Sequence, residues 1–127
     1  MTLMAMFRYP DVYKAGIAVS FVALQNLYDN IYQERYMGLP ADNEAGYRDG
    51  SPLSHAKNLK GNLLIMHGTG DDNVHYQNFE RLANELIKYN KQFDMMSYPM
   101  RDHGIYQGKN TTLHLRKTME RFWKDNL

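Results

Sequence analysis

Cysteine is absent from this 127-residue chain, which removes disulfides, thiolate nucleophiles and zinc knuckles and leaves the redox compartment undecided. Serine is scarce: it stands only at Ser20, Ser51, Ser54 and Ser97, and never within a Gly-x-Ser-x-Gly turn. No apolar run approaches the roughly eighteen residues that a membrane-spanning helix requires. Charge of one sign is also missing, because fifteen basic and fourteen acidic residues leave a formal +1. No basic stripe marks a nucleic-acid partner and no acidic run marks a tail. The N-terminus has no charged-then-apolar leader layout, which for a piece of a longer chain says nothing about where the parent resides. His67, Asp71, Asp72, His75 and His103 could be imagined around a metal, yet no HExxH, HxH or CxxC spacing links them. Gly68-Thr69-Gly70 alone is not a phosphate loop of Walker or dinucleotide type. No metal and no cofactor are expected.

What remains is the composition of an ordinary globular domain, 43% hydrophobic and 23% charged. Its length suits one domain or part of one. Met1–Tyr9 is rich in helix formers with almost no polar face, as a buried helix would be. Pro10-Asp11 ends it, and Lys14–Ser20 reads as a short strand of small and β-branched residues. From Phe21 to Met37, Leu27, Tyr28, Ile31, Tyr32, Arg35 and Tyr36 fall at helical spacing until Gly38-Leu39-Pro40. Residues 41–60 are polar and loop-like, with one helical turn expected near Ser54 to Asn58. Gly61–Met66 is the second strand. Phe79, Leu82, Ala83, Leu86 and Ile87 then mark one apolar helix face opposite Glu80, Arg81, Glu85 and Lys88. Gln92–Tyr98 is a third strand, and Leu115, Met119, Phe122 and Trp123 mark a closing helix from about Thr111.

The order α-β-α-β-α-β-α predicts an α/β fold: a short parallel sheet with helices on both faces, three layers in all. Three parallel strands make a small sheet for this architecture. The strand at 14–20 and the uncapped apolar helix before it look like interior parts that lack a neighbour. Either the chain is truncated, or another copy of itself covers that edge, as a homo-oligomer.

His67-Gly68-Thr69-Gly70-Asp71-Asp72-Asn73-Val74-His75 follows the second strand, and Tyr98-Pro99-Met100-Arg101-Asp102-His103-Gly104 follows the third. Open α/β sheets gather reactive groups above the carboxyl ends of their strands. An acid after one strand and a histidine after the next suggest the acid–base half of a hydrolytic triad, with Asp71 orienting His103. The plain alternative is that both solvate the surface. Asn73 has two readings, an N-cap of the following helix or an amide offered to a substrate carbonyl. His67 is expected to make a structural hydrogen bond, while His75 and His114 fall on helices. Ser20 ends a strand at the correct edge but lacks the flanking glycines of a strained nucleophile turn. An esterase-like hydrolase using Ser20 is the rival chemistry.

The motifs His67–His75 and Asp102-His103-Gly104-Ile105 resemble the C-terminal end of dipeptidyl peptidase IV-like enzymes of the prolyl oligopeptidase family of serine peptidases. Tyr28-Asp29 and Tyr32-x-Glu34-Arg35-Tyr36-Met37-Gly38-Leu39-Pro40 match the same family. The resemblance covers essentially the whole chain. It implies the C-terminal portion of an α/β-hydrolase catalytic domain, starting after the nucleophile elbow and without the β-propeller. It also implies cleavage of N-terminal X-Pro or X-Ala dipeptides from a peptide substrate by a Ser-Asp-His triad. By position, Asp71 resembles the triad acid and His103 the base. Val22, Tyr28, Tyr32 and Val74 resemble walls of the pocket for proline or alanine, and Asn73 a substrate-carbonyl contact. Tyr28 and Tyr32, four apart, are expected on one helix face. The family usually has an aromatic residue where this chain has Gln25. The chain alone is expected to be inactive, since it supplies Asp and His without the Ser.

Overall fold

In the computed structural model, which describes residues 1–127, five α-helices and three strands keep the α-β-α-β-α-β-α order that the hydrophobic periods predict, with one further helix inside the expected loop at 41–60. They are α1 (Thr2–Arg8), β1 (Ala15–Val19), α2 (Asn30–Met37), α3 (Glu44–Asp49), β2 (Asn62–Gly68), α4 (Gln77–Lys88), β3 (Asp94–Tyr98) and α5 (Thr111–Asn126). The strands form one parallel sheet in the order β1-β2-β3. Registers run from Ala15 opposite Asn62 to Val19 opposite Met66, and from Leu64 opposite Asp94 to Gly68 opposite Tyr98.

β2 is the central strand, and every residue from Leu63 to Gly68 is buried. Because side chains alternate along a strand, its apolar run divides between two cores. Leu63 and Ile65 join Leu3, Met6 and Phe7 of α1 and Phe79, Leu82 and Leu86 of α4. Leu64 and Met66 join Tyr98, Ile105, Leu115 and Phe122, beneath α5. The sheet is thereby covered on both faces, while β1 and β3 each keep one unpaired edge.

The segment before α2 departs from the sequence expectation. Phe21–Tyr28 is not helical except for a 3-10 turn at Gln25–Leu27, and α2 starts only at Asn30. Tertiary hydrogen bonds outcompete the helical ladder here. The buried Asn78 Oδ1 accepts from the Ala23 and Leu24 N–H groups, and Ser51 Oγ accepts from Gln25 N–H. Residues 41–60 are also more regular than expected. Asn43 Oδ1 caps α3 by accepting from Gly46 N–H, and a 3-10 helix spans Pro52–Asn58.

Candidate active site

β2 and β3 end side by side, so their C-terminal loops meet. Thr69 N–H donates to the Tyr98 carbonyl at 2.9 Å and Gly70 N–H to the Arg101 carbonyl at 3.0 Å. Thr69 Oγ1 accepts from Met100 N–H at 2.8 Å. Gly68 permits this approach, since a Cβ there would collide with the Arg101 and Asp102 carbonyls. Beyond the junction, Ile105 sits buried in the second core with φ +49°, a conformation that a β-branched residue adopts only under constraint. It anchors the far side of the histidine loop.

Asp71 lies within this junction with its side chain wholly shielded from solvent. Its Oδ1 accepts the backbone N–H groups of Asn73 at 3.0 Å and Val74 at 2.8 Å, an Asx-type turn that fixes the carboxylate. Its Oδ2 is 3.0 Å from His103 Nδ1. A carboxylate accepts only, so the hydrogen bond places the proton on Nδ1 and leaves Nε2 with a free lone pair. The His103 side chain is 44% exposed, so that second nitrogen sits on a ring open to approach.

His67 stands behind Asp71, fully buried at the end of β2. Its Nε2–H donates to the Val74 carbonyl at 2.8 Å, and the same nitrogen is 3.0 Å from Asp71 Oδ2. Phe21, Tyr76 and Phe79 present ring edges to it at centroid distances of 5.5, 5.9 and 6.1 Å. Burial pushes the imidazole below its usual pKa. The Val74 hydrogen bond and the Asp71 carboxylate pull it back up, and a charged His103 pushes it down. The expectation of a structural hydrogen bond for His67 is met, at a place closer to Asp71 than its sequence position suggested.

A cavity of about 600 Å³ opens beside His103. Val22, Tyr28, Tyr32, Asn73 and Val74 line it together with His103, so six of the seven residues singled out from the sequence face one space. Asp71 is not on the lining and reaches the cavity only through His103. Tyr28 lies outside α2 in extended conformation rather than on a shared helix face with Tyr32. Their rings nonetheless meet edge-on at 5.4 Å. Asn73 is not a helix cap, because α4 starts at Gln77; its Oδ1 instead accepts from the Tyr28 hydroxyl at 3.2 Å. His75 precedes α4 and is exposed, whereas His114 lies on α5 with Nδ1 3.0 Å from the Tyr98 hydroxyl.

Gln25 occupies the outer wall beside Gln33, a residue that no periodic signal had marked. Gln25 Nε2 donates to the Gly50 carbonyl at 2.8 Å, and its Oε1 accepts from Gln33 Nε2 at 2.6 Å. The wall is a fixed polar pair. Ser20 also lines the cavity, with φ +46° and its hydroxyl donating to the His103 backbone carbonyl at 2.8 Å. That hydroxyl is held by the loop's main chain and not by the imidazole.

A family model described as the prolyl oligopeptidase family matches residues 1–127. The chain is 41% identical over 118 residues to venom dipeptidyl peptidase 4 of Vespa velutina, covering 91% of this chain and 15% of that protein. It is 40% identical over 116 residues to dipeptidyl peptidase 4 of Bos taurus, covering 89% of this chain and 15% of that one. The crystal structure of Porphyromonas gingivalis dipeptidyl peptidase 4 superposes with a TM-score of 0.96 at 45% identity, over 98% of this chain and 18% of that chain. The chain thus spans less than a fifth of the length of these relatives.

Proposed function

This chain belongs to the prolyl oligopeptidase family, as a dipeptidyl peptidase IV-like member, and on that premise we propose that it carries the acid–base half of a serine dipeptidyl peptidase site. His103 Nε2 takes the proton of a serine hydroxyl as the oxygen attacks the substrate carbonyl, then returns it to the departing amine. Asp71 keeps the His103 proton on Nδ1 and stabilises the imidazolium that forms. Val22, Tyr28, Tyr32 and Val74 wall the space for a proline or alanine side chain, and Asn73 turns its amide toward a substrate carbonyl. Release of the amine leaves a dipeptidyl ester on the serine, which water hydrolyses by the same two proton transfers.

The observation that carries this reading is the 3.0 Å contact between His103 Nδ1 and the buried Asp71 Oδ2, at the rim of the cavity. The serine is not among these residues: Ser20 is the only serine on the lining, and its hydroxyl is spent on a backbone carbonyl. Pure 127-residue material is therefore expected not to cleave a Gly-Pro chromogenic amide, and turnover by it would refute this half of the proposal. The positive test is a chimera in which this chain replaces the matching part of the Porphyromonas gingivalis enzyme. It should cleave the same substrate, and Asp71→Asn should lower its turnover about 10⁴-fold. A folded chimera indifferent to His103→Ala would overturn the assignment.

A second reading, self-association of the isolated chain, draws on the open edge of β1. Beside that edge a groove of about 350 Å³ is lined by Ala5, Met6, Tyr13, Ile17 and Trp123. A second copy would cover both the apolar groove and the unpaired strand. Light scattering that finds a stable monomer at high concentration removes this reading.

A further inference from the structure

Asp71 is held from two sides, and the inner side takes no part in the proton transfers above. His67 Nε2–H donates to the Val74 carbonyl at 2.8 Å, while Val74 N–H donates to Asp71 Oδ1 at 2.8 Å. The same His67 nitrogen is 3.0 Å from Asp71 Oδ2, the oxygen that receives the His103 proton. Imidazole, peptide and carboxylate thus close a ring of short polar contacts around residues 71–74. Asn73 and Val74 of this segment line the cavity.

We infer that His67 is a positioning residue, one that fixes Asp71 Oδ2 toward His103 and ties the Val74 wall of the cavity to the same geometry. The inference rests on the reading of Asp71 and His103 as acid and base.

The device works only with a neutral imidazole. His67 Nδ1 is buried without a hydrogen-bond partner, so a proton there would be an N–H with no acceptor. The charged groups that act on the ring are Asp71 and His103. The segment after β1 presents Phe21; Phe79 comes from α4 and Tyr76 from just before it, its hydroxyl bonded to Ser97. Both acceptors of the ring, a carbonyl and a carboxylate, lie at Nε2, which selects the Nε2–H tautomer. His67 consequently remains a single-proton donor while His103 alternates between its two forms. Two cationic imidazoles would otherwise compete for one carboxylate oxygen.

Nitrogen-labelled imidazole NMR on the full 127-residue chain tests this. In the unmodified chain, His67 should be the neutral Nε2–H tautomer at neutral pH, and His103 should show a downfield, hydrogen-bonded Nδ1–H signal. His67→Phe keeps an aromatic ring but removes the donor, and should speed exchange of the His103 Nδ1–H roughly tenfold or more by loosening the acid. His67→Gln, whose amide nitrogen can stand in for Nε2, should restore the slow exchange. A role confined to stability would lower the melting temperature of His67→Phe and leave the His103 signal as it was; that result overturns the inference. Should His67→Phe not fold, the tautomer of the unmodified chain decides, and an Nδ1–H or charged His67 at neutral pH overturns it. Asp71→Asn separates the two levels. If no His103 signal depends on Asp71, the acid–base reading itself fails; if one does but ignores His67→Phe, only the role of His67 fails.

Discussion

Two histidines stand 3.0 Å from one carboxylate oxygen, and their surroundings could hardly differ more. His67 is sealed among Phe21, Tyr76 and Phe79, with one ring nitrogen left unpartnered. His103 projects from a loop, 44% exposed, beside a cavity. The inner ring is built to keep one protonation state, because burial disfavours its charged form. The outer ring is open to a proton donor. Under the proposed function, one ring is placed to exchange a proton at the cavity, while the other offers its shape and a single N–H.

The comparison can be broken through stability. Phe79→Ala on the inner side removes a ring that is 2% exposed and stacks on Tyr76 at 5.0 Å. It should cost about 3–5 kcal/mol in urea unfolding, the usual toll of a large core truncation. Asp71→Ala comes next, at about 3 kcal/mol, since it strands the N–H groups of Asn73 and Val74 in a closed turn. A smaller effect should follow pH. The unfolded chain takes up a proton at His67 near 6.5, whereas the buried ring resists it, so the unfolded state gains protons first as pH falls. The stabilisation is complete above about 6.5 and is lost progressively below it; His67→Phe should flatten that acid limb of the urea midpoint. The smallest change is expected from His103→Ala, within about 0.5 kcal/mol, as for other exposed substitutions. If His103→Ala proved as damaging as Asp71→Ala, the contrast between an inner scaffold and an outer working group would be lost.

Much of this arrangement is legible in the sequence. The three strands, the α4 face and the convergence of Asp71 and His103 follow from periods of two and about 3.6 and from parallel neighbours sharing an end. The helical spacing of residues 21–37 misled over its first half because the competing partners are distant. Asn78 and Ser51 are far along the chain from the Ala23–Gln25 amides they bind, and nothing local announces them. Asn43 is different, because an Asn followed directly by Glu44 is a recognisable helix start inside what read as loop. The clustering of Val22, Tyr28, Tyr32, Asn73 and Val74 around His103 came from motif resemblance. Periodicity could not have supplied it, since Tyr28 reaches the cavity from an extended segment. A hydrogen-bonding role for His67 is readable from its place before a tight turn, but its nearness to Asp71 depends on how the loop folds back after Gly68, which spacing does not encode.

Gly68 has one more consequence. Because it lets two neighbouring strand ends touch, the Asp71–His103 contact forms between the loops that follow β2 and β3, and Ser20, just after β1, adds the hydroxyl that holds the His103 carbonyl.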